Sequence, residues 1–591
     1  MNEWKGRLSL QTKRNPLTDM SAEQLFLVEQ SMLMMDRNYD EAEKLVRDEE
    51  EGGRLSTRSS AHYALGLMLR DRPGDRERAC AVARRVLDMQ LDAPDEIYDG
   101  TFKVFPGAPT PPAGHMAWGV FPPGIAYSMP TSMAALFERF AANVDRAFPG
   151  AFGGEGAHAV RSCFVEAANG IWPPVWQSYD PNWREFIACS FALLLEHFED
   201  RLPVELTERI DDAMAKAVAA SISRRLSQSI PMNTNIELMH AFIVHYYGHR
   251  YRNADWIGHS EAEARRLLAS YSEFDSFAEF NSATYYGVDL TVLGMWRKYA
   301  RTSLFRYIGG ILESGLWRNI AMFYHPGLEN MAGPYSRGYE MEMGKHSSMG
   351  VFVYLALGQG YEHLAAPNCE TSHDPIIALV GADVPEDVVP QLREHRRDRL
   401  VSRLFRELCE RDKPGVNTNL CKAEAWIGKE LMIGALSGSR NTSGQLHPAT
   451  IHWQDGDGVR RSLRLLRRAK GEPWKKHMRG VVFDCSAGEG MLEAEVSIDS
   501  NDEIDIFFEA DGPGVELSVI SDKRWALPGL TCLVSAEAPP PVARRNGDRL
   551  EIVYSHRPGE AAKRRMTFKL RLKLQRGSSA AHGAGQDIPS P

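Results

Sequence analysis

No stretch of about 18 consecutive apolar residues, the run a bilayer-crossing helix needs, occurs in this 591-residue sequence, so no segment is expected to span a membrane. The opening MNEWKGRLSLQTKRNPL interrupts each apolar stretch with charge and lacks the apolar core of a secretory signal, which makes the cytoplasm the expected location. Cysteine is sparse. Cys80, Cys163, Cys189, Cys369, Cys409, Cys421, Cys485 and Cys532 form no CxxC pair and are too thinly spread for a disulfide framework, so reduced thiols are expected. Positive charge is in deficit, with 69 Lys and Arg against 78 Asp and Glu for a net −9, and no long basic run appears. That argues against nucleic acid as the main partner. Also missing are a GxxxxGK[ST] phosphate loop, a GxGxxG after a strand and a GxSxG nucleophile elbow, which argues against nucleotide-dependent chemistry.

Amphipathic helices fill the first two thirds of the chain. SAEQLFLVEQSMLMMDRN, SSAHYALGLMLRD and DRERACAVARRVLDMQ each carry apolar residues at helical spacing. The stretch Tyr98 to Pro130 is crowded with Pro, Gly and aromatics and reads as a long functional or connecting loop. Helical patterning then returns in DPNWREFIACSFALLLEHFED and continues through LTERIDDAMAKAVAASISRRL, NTNIELMHAFIVHYYGHRY and HSEAEARRLLASYSEF. It persists in YYGVDLTVLGMWRKYA, SLFRYIGGILESGLWRNIAMFY, HSSMGVFVYLALGQGY and a last segment, VVPQLREHRRDRLVSRLFRELCERD.

Beyond that segment the period changes. ELMIGAL, ATIHW, VRRSLRLL, GVVFD, MLEAEVSI, EIDIFFEA, VELSVISD, TCLVSAE, RLEIVYS and MTFKLRLKL are short, alternating or β-branched, and separated by DGDG, DGPG and RNGD. The expected architecture is multidomain α+β: an N-terminal α/α toroid of antiparallel helices over 1–410, an antiparallel β-sandwich over 411–576, and a disordered tail over 577–591. A toroid is preferred to a solenoid because no fixed-period repeat is present.

Three segments carry a resemblance within this plan. DSFAEFNSATYYG (Asp275 to Gly287), NTNIELMH (Asn233 to His240) and AGPYSRGYEMEM (Ala332 to Met343) follow one another in the order Asn, Tyr, Arg. In this order and domain plan the chain resembles polysaccharide lyases of the chondroitin/hyaluronate lyase and heparinase type. Two departures stand out: Phe280 occupies a position where that family has a His, and Tyr285 and Tyr286 compete for one role. The resemblance implies β-elimination on a uronic-acid-containing poly- or oligosaccharide, with no cofactor and no metal.

Such a reaction needs three things: neutralisation of the uronate carboxylate, a base for the C5 proton, and an acid for the departing O4. Asn235 or Asn233 offers an amide for the first and Arg337 a charged partner. Tyr285 or Tyr286 serves as base and acid in turn, with His240 or His346 as alternative bases. Asn233, Glu237 and His240 share one helix face, and Asn233 also has the simpler reading of a helix N-cap. Glu279, Asn281, Tyr335, Tyr339 and Glu340 complete the polar-aromatic clusters as substrate contacts. Trp183 and Arg184 form a sugar platform and anion contact, with packing as their plainer role.

Three rival readings use the same residues. A glycoside hydrolase would take two carboxylates from Glu237, Glu279, Asp289 and Glu340. An isomerase, dehydratase or cyclase would act on a small intermediate. A carbohydrate-binding protein without catalysis would leave the Asn, Tyr and Arg clusters apart in space.

Overall fold

The computed structural model describes residues 15–575 apart from 49–51, 95, 97, 112–136, 138–139, 151–158, 161–162, 164–177, 227–232, 409–418, 501, 513–514 and 558–563. Most of the Pro- and Gly-rich loop and the expected tail therefore lie outside the described residues. No described helix is long and apolar enough to cross a membrane.

Helices α1 (Ala22–Asn38), α2 (Thr57–Arg70), α3 (Asp75–Asp88), α4 (Trp183–Phe198), α5 (Val204–Leu226) and α6 (Thr234–Arg250) form where the apolar periodicity places them. So do α7 (Ala254–Ser272), α8 (Tyr286–Tyr299), α9 (Ser303–Phe323) and α10 (Met349–Leu357). Several begin at side-chain caps. Ser21 and Gln24 close a reciprocal capping box, and Asn253 and Thr302 accept backbone N–H groups at the starts of α7 and α9. Each such cap contributes roughly 0.5–2 kcal/mol. A short helix α11 (Asp374–Val380), not evident from the sequence, completes the layout. Contacts run α1–α2–α4–α6–α8–α11 and back to α1, so this circuit of helices closes on itself. Helices α3, α5, α7 and α9 pack outside it. The inner members α4, α6 and α8 are buried on nearly every face, as a helix with apolar residues all round must be.

One expected helix is overturned. Among the described residues of VVPQLREHRRDRLVSRLFRELCERD only Val389–Arg393 is helical (α12), and Arg399–Arg406 is a strand. It forms the edge of an eight-stranded antiparallel sheet with the order Val542–Asn546, Arg549–His556, Ile504–Asp511, Arg460–Ala469, Ala449–Gln454, Leu431–Ser437, Leu420–Ile427, Arg399–Arg406. Pairing with Leu420–Ile427 decides the outcome, because Phe405 and Cys421 both reach the β core while Leu400 and Leu404 stay exposed. A second antiparallel sheet orders Val481–Gly488, Met491–Ile498, Arg565–Leu574, Leu530–Glu537 and Arg524–Leu527. Expected strand VELSVISD is instead a 3-10 turn over Leu517–Val519.

Ile433, Ile451 and Phe508 of the first sheet share one core with Phe483, Val496 and Leu570 of the second. Phe280, Phe323 and Ala332, all from the helical part, belong to that same core. The Phe280 ring stacks on Phe405 at 5.1 Å and meets Phe323 at 5.6 Å. The departure at position 280 thus has a physical reason: the phenylalanine anchors the helical part to the sheet.

Candidate active site

The polar-aromatic segments converge at this seam. Residues 279–287 and 333–348 are held side by side by hydrogen bonds. Asn281 Nδ2 donates to the carbonyls of Ala332 and Pro334 at 2.8 Å each, and Ser336 Oγ to that of Phe280 at 2.6 Å. Ser282 Oγ donates to Arg337 O at 2.6 Å, and the Tyr339 N–H to Thr284 Oγ1 at 3.1 Å. The large sheet adds a third segment. Tyr335 and His447 exchange backbone hydrogen bonds, Gly338 N donates to Gln445 O, and His447 Nε2 lies 2.8 Å from Gly338 O. Gly434 permits the approach, since a Cβ there would sit 2.0 Å from the Gly333 carbonyl carbon. Non-glycine residues Asn281 (φ 51°) and His346 (φ 53°) hold left-handed backbone within this braid.

Tyr285 lies at its middle. The Arg337 guanidinium lies 4.3 Å above the Tyr285 ring, and Arg337 Nη1 donates to Glu279 Oε1 at 2.9 Å. Tyr285 Oη is 3.5 Å from Gln445 Oε1, and its ring is 6.1 Å from that of Tyr339. Lys475 Nζ approaches the Tyr339 ring at 5.7 Å and the Trp474 ring at 5.5 Å. Burial pushes the Tyr285 hydroxyl well above the usual tyrosine pKa, and Arg337 opposes that rise. Glu279 N donates to Thr234 Oγ1 at 3.2 Å, which ties the start of α6 to the same cluster. Asn233 stands at the N-cap of α6 without a side-chain cap bond, and Asn235 Oδ1 is buried with no hydrogen-bond partner among the described residues.

A line of side chains leads away from Tyr339. Its ring lies 4.2 Å from His346, whose Nε2 is 3.8 Å from Glu370 Oε1. Glu370 Oε2 is 3.1 Å from His373 Nδ1, and the His373 ring stacks on Phe186 at 5.7 Å. Arg58 then lies 5.4 Å from the Phe186 ring and 5.5 Å from Trp183. Trp183 therefore connects to the seam through Tyr339 and His346, which the sequence singled out, and through Glu370, His373, Phe186 and Arg58, which it did not.

Other expected members serve packing or pairing instead. Tyr286 is fully buried, its hydroxyl accepting the Asn281 N–H at 2.6 Å. Tyr335 is likewise a core residue, with its hydroxyl donating to Met331 O at 2.6 Å. Asn281 works as a backbone clamp. Arg184 is buried beside Glu185, 4.0 Å away, and reaches the Asp99 carbonyl. Glu340 sits 3.8 Å from Arg549. The face shared by Glu237 and His240, expected to supply an alternative base, turns instead to α5 and α7. Glu237 meets Arg225 and Arg266 at 3.2 Å each. His240 Nδ1 lies 2.8 Å from Ser221 Oγ and Nε2 3.0 Å from His259 Nε2, while Ser221 Oγ donates to Glu185 Oε1. Burial holds His240 neutral, well below the ordinary histidine pKa.

A family model described as "Domain of unknown function (DUF8769)" matches residues 25–143 and 165–381, more than half of the chain. The chain belongs to this family. No curated protein matches it. Among solved structures it is similar, at low identity, to polysaccharide lyases. Heparinase III shares 10% identity, with 85% of this chain and 91% of that one covered and a TM-score of 0.35. A Streptomyces coelicolor A3 chondroitin AC lyase in complex with chondroitin sulphate shares 12%, covering 88% and 80%, at 0.32. A Paenibacillus xanthan lyase shares 10%, covering 85% of this chain and 57% of that one, at 0.29.

In this DUF8769 member the matched span contains Tyr285, Arg337, Tyr339 and His346, but not Gln445, Trp474 or Lys475. Those last three, supplied by the β part, went unrecognised in the sequence. The run EPWKKH, an aromatic beside two lysines in a Pro-led loop, was the available signal.

Proposed function

We propose that this protein cleaves a uronic-acid-containing oligo- or polysaccharide by β-elimination at the seam between an α/α-toroidal helical domain and a β-sandwich domain that begins near Arg399. The observation that carries the reading is the Arg337 guanidinium 4.3 Å above the Tyr285 ring, with Tyr339, Gln445 and Lys475 around it. The closed circuit of helices supports the toroid. Arg337 and Lys475 supply positive charge for the substrate carboxylate, and Asn235 an amide. With that carboxylate neutralised, Tyr285 removes the C5 proton as phenolate, stabilised by Arg337, and returns the same proton to the departing O4. Half-buried Tyr339 gives a sugar ring an apolar face beside Lys475, whereas Trp183 is buried in the helical core.

Hydrolysis finds less support in the carboxylates. Glu237 and Glu279 are engaged by arginines, Glu340 faces Arg549, and Asp289 is wholly buried with its pKa pushed well up by burial and by Glu279. Inverting or retaining chemistry needs two carboxyl groups facing one bond.

Incubating the pure protein with a panel of uronic-acid polymers and oligosaccharides tests the reading. Growth of near-ultraviolet absorbance from a 4,5-unsaturated uronate is expected. New reducing ends without absorbance would replace elimination by hydrolysis, and silence across the panel would withdraw the reading.

A further inference from the structure

A group of ligating side chains lies beside, not within, the Tyr285 cluster. One ligand atom each of His346, Cys369 and Glu370 falls within 4.8 Å of the others, the only such trio of His, Cys, Asp or Glu among the described residues. Glu370 is buried, and His346 and Cys369 are half-buried. Two chain segments build the group and are fixed independently of it. Asn368 Nδ2 donates to Ser347 O at 3.2 Å, and Asn368 Oδ1 accepts the Glu370 N–H at 2.9 Å. Ser347 Oγ in turn donates to Ala283 O at 2.5 Å.

We propose that His346, Cys369 and Glu370 bind a zinc ion that pins the Arg337–Tyr339 loop to the segment leading into α11. A nitrogen, a sulfur and a carboxylate oxygen form a mixed set suited to a borderline-soft divalent cation. Zinc bond lengths of roughly 2.0–2.3 Å put tetrahedral ligands roughly 3.3–3.7 Å apart. His346 Nε2 and Glu370 Oε1 are already 3.8 Å apart, so closure needs only small side-chain movements. On binding, Cys369 releases its thiol proton to solvent; thiolate and carboxylate then balance the 2+ charge. The fourth position is left to water or a substrate oxygen. His373 Nδ1, 3.1 Å from Glu370 Oε2, orients the carboxylate from behind, the outer-shell arrangement that metal ligands favour.

Metal binding is read without substrate, so this inference stands or falls separately from β-elimination. The full-length protein is stripped with chelator, dialysed and titrated with Co²⁺ as an optical probe. A thiolate-to-cobalt charge-transfer band saturating at one equivalent and bleached by added Zn²⁺ is expected. Cys369→Ser abolishes the band, Glu370→Gln and His346→Gln weaken cobalt affinity by about tenfold or more, and Cys163→Ser at an exposed site changes nothing. No band in the wild-type protein, or a band surviving Cys369→Ser, would overturn the site. Circular dichroism of the metal-free variants separates lost ligation from lost folding, and the wild-type titration depends on no variant.

Discussion

Two polar clusters, one on α6 and one around Tyr285, have different surroundings. His240 and Glu237 lie on α6, and their partners, Ser221, Arg225, His259 and Arg266, all come from the adjoining helices α5 and α7. Every group there is answered by a neighbour on a packed helix, which is what an interior polar contact requires. Tyr285 is instead surrounded by Glu279, Arg337, Tyr339, Gln445 and Lys475, drawn from loops and from a different part of the fold. Its hydroxyl is shared between Tyr339 and a long contact to Gln445, and Arg337 above its ring is paired with Glu279. Polar residues that satisfy one another across neighbouring helices hold a wall together. Those that converge from distant segments can come together around a ligand.

Breaking the second cluster should have the largest effect. Tyr285→Phe is expected to lower turnover about 10²- to 10⁴-fold, the range of a lost general acid–base group, with the thermal midpoint nearly unchanged. Steady-state rates beside a melting curve check both halves. Arg337→Ala removes the partner of buried Glu279 and is expected to abolish turnover and cost about 3–5 kcal/mol of stability. Adding Glu279→Gln should restore much of that stability and none of the activity, a contrast that denaturant titration of the double variant resolves.

The first cluster predicts the opposite pattern. His240→Ala takes a partner from Ser221 and from His259, at a cost of roughly 1–3 kcal/mol, while the rate per folded molecule is retained. A rate loss matching that of Tyr285→Phe would erase the distinction between the clusters.

A smaller effect concerns pH. Burial pushes His447 down to about 3 and His452 to about 4, so the unfolded chain binds more protons between those values and the ordinary histidine pKa. Their stabilising contribution is full above that ordinary value and is lost as pH falls from it towards 3–4. At pH 5 the loss is on the order of 2 kcal/mol per histidine. Melting curves from pH 7 to pH 4.5 should fall accordingly, and His452→Gln should flatten the fall.

Element positions were legible wherever a local pattern was strong. The 21–38 segment carries its own capping box, and RNGD marks a turn at Gly547 (φ 57°) between two paired strands. Residues 399–406 misled because alternating Arg and Leu satisfy a helical stripe as well as a strand, and only pairing with Leu420–Ile427 selects the strand. Tyr285 and Arg337 stood out through local density of polar and aromatic types. Tyr286, Tyr335 and Asn281 did too, although their polar atoms serve the backbone. Chain composition cannot distinguish a hydroxyl aimed at a carbonyl from one aimed at a ligand. Gln445, Lys475, Cys369 and Glu370 depend on contacts across a hundred residues or between separate elements, and no periodicity carries that information.

The central claim is tested most directly by near-ultraviolet absorbance on a uronic-acid substrate, with wild type, Tyr285→Phe and His240→Ala run side by side and rates normalised to folded protein. The account predicts growth for wild type and His240→Ala and a nearly flat trace for Tyr285→Phe. Equal growth for wild type and Tyr285→Phe would contradict it and move the chemistry away from the seam.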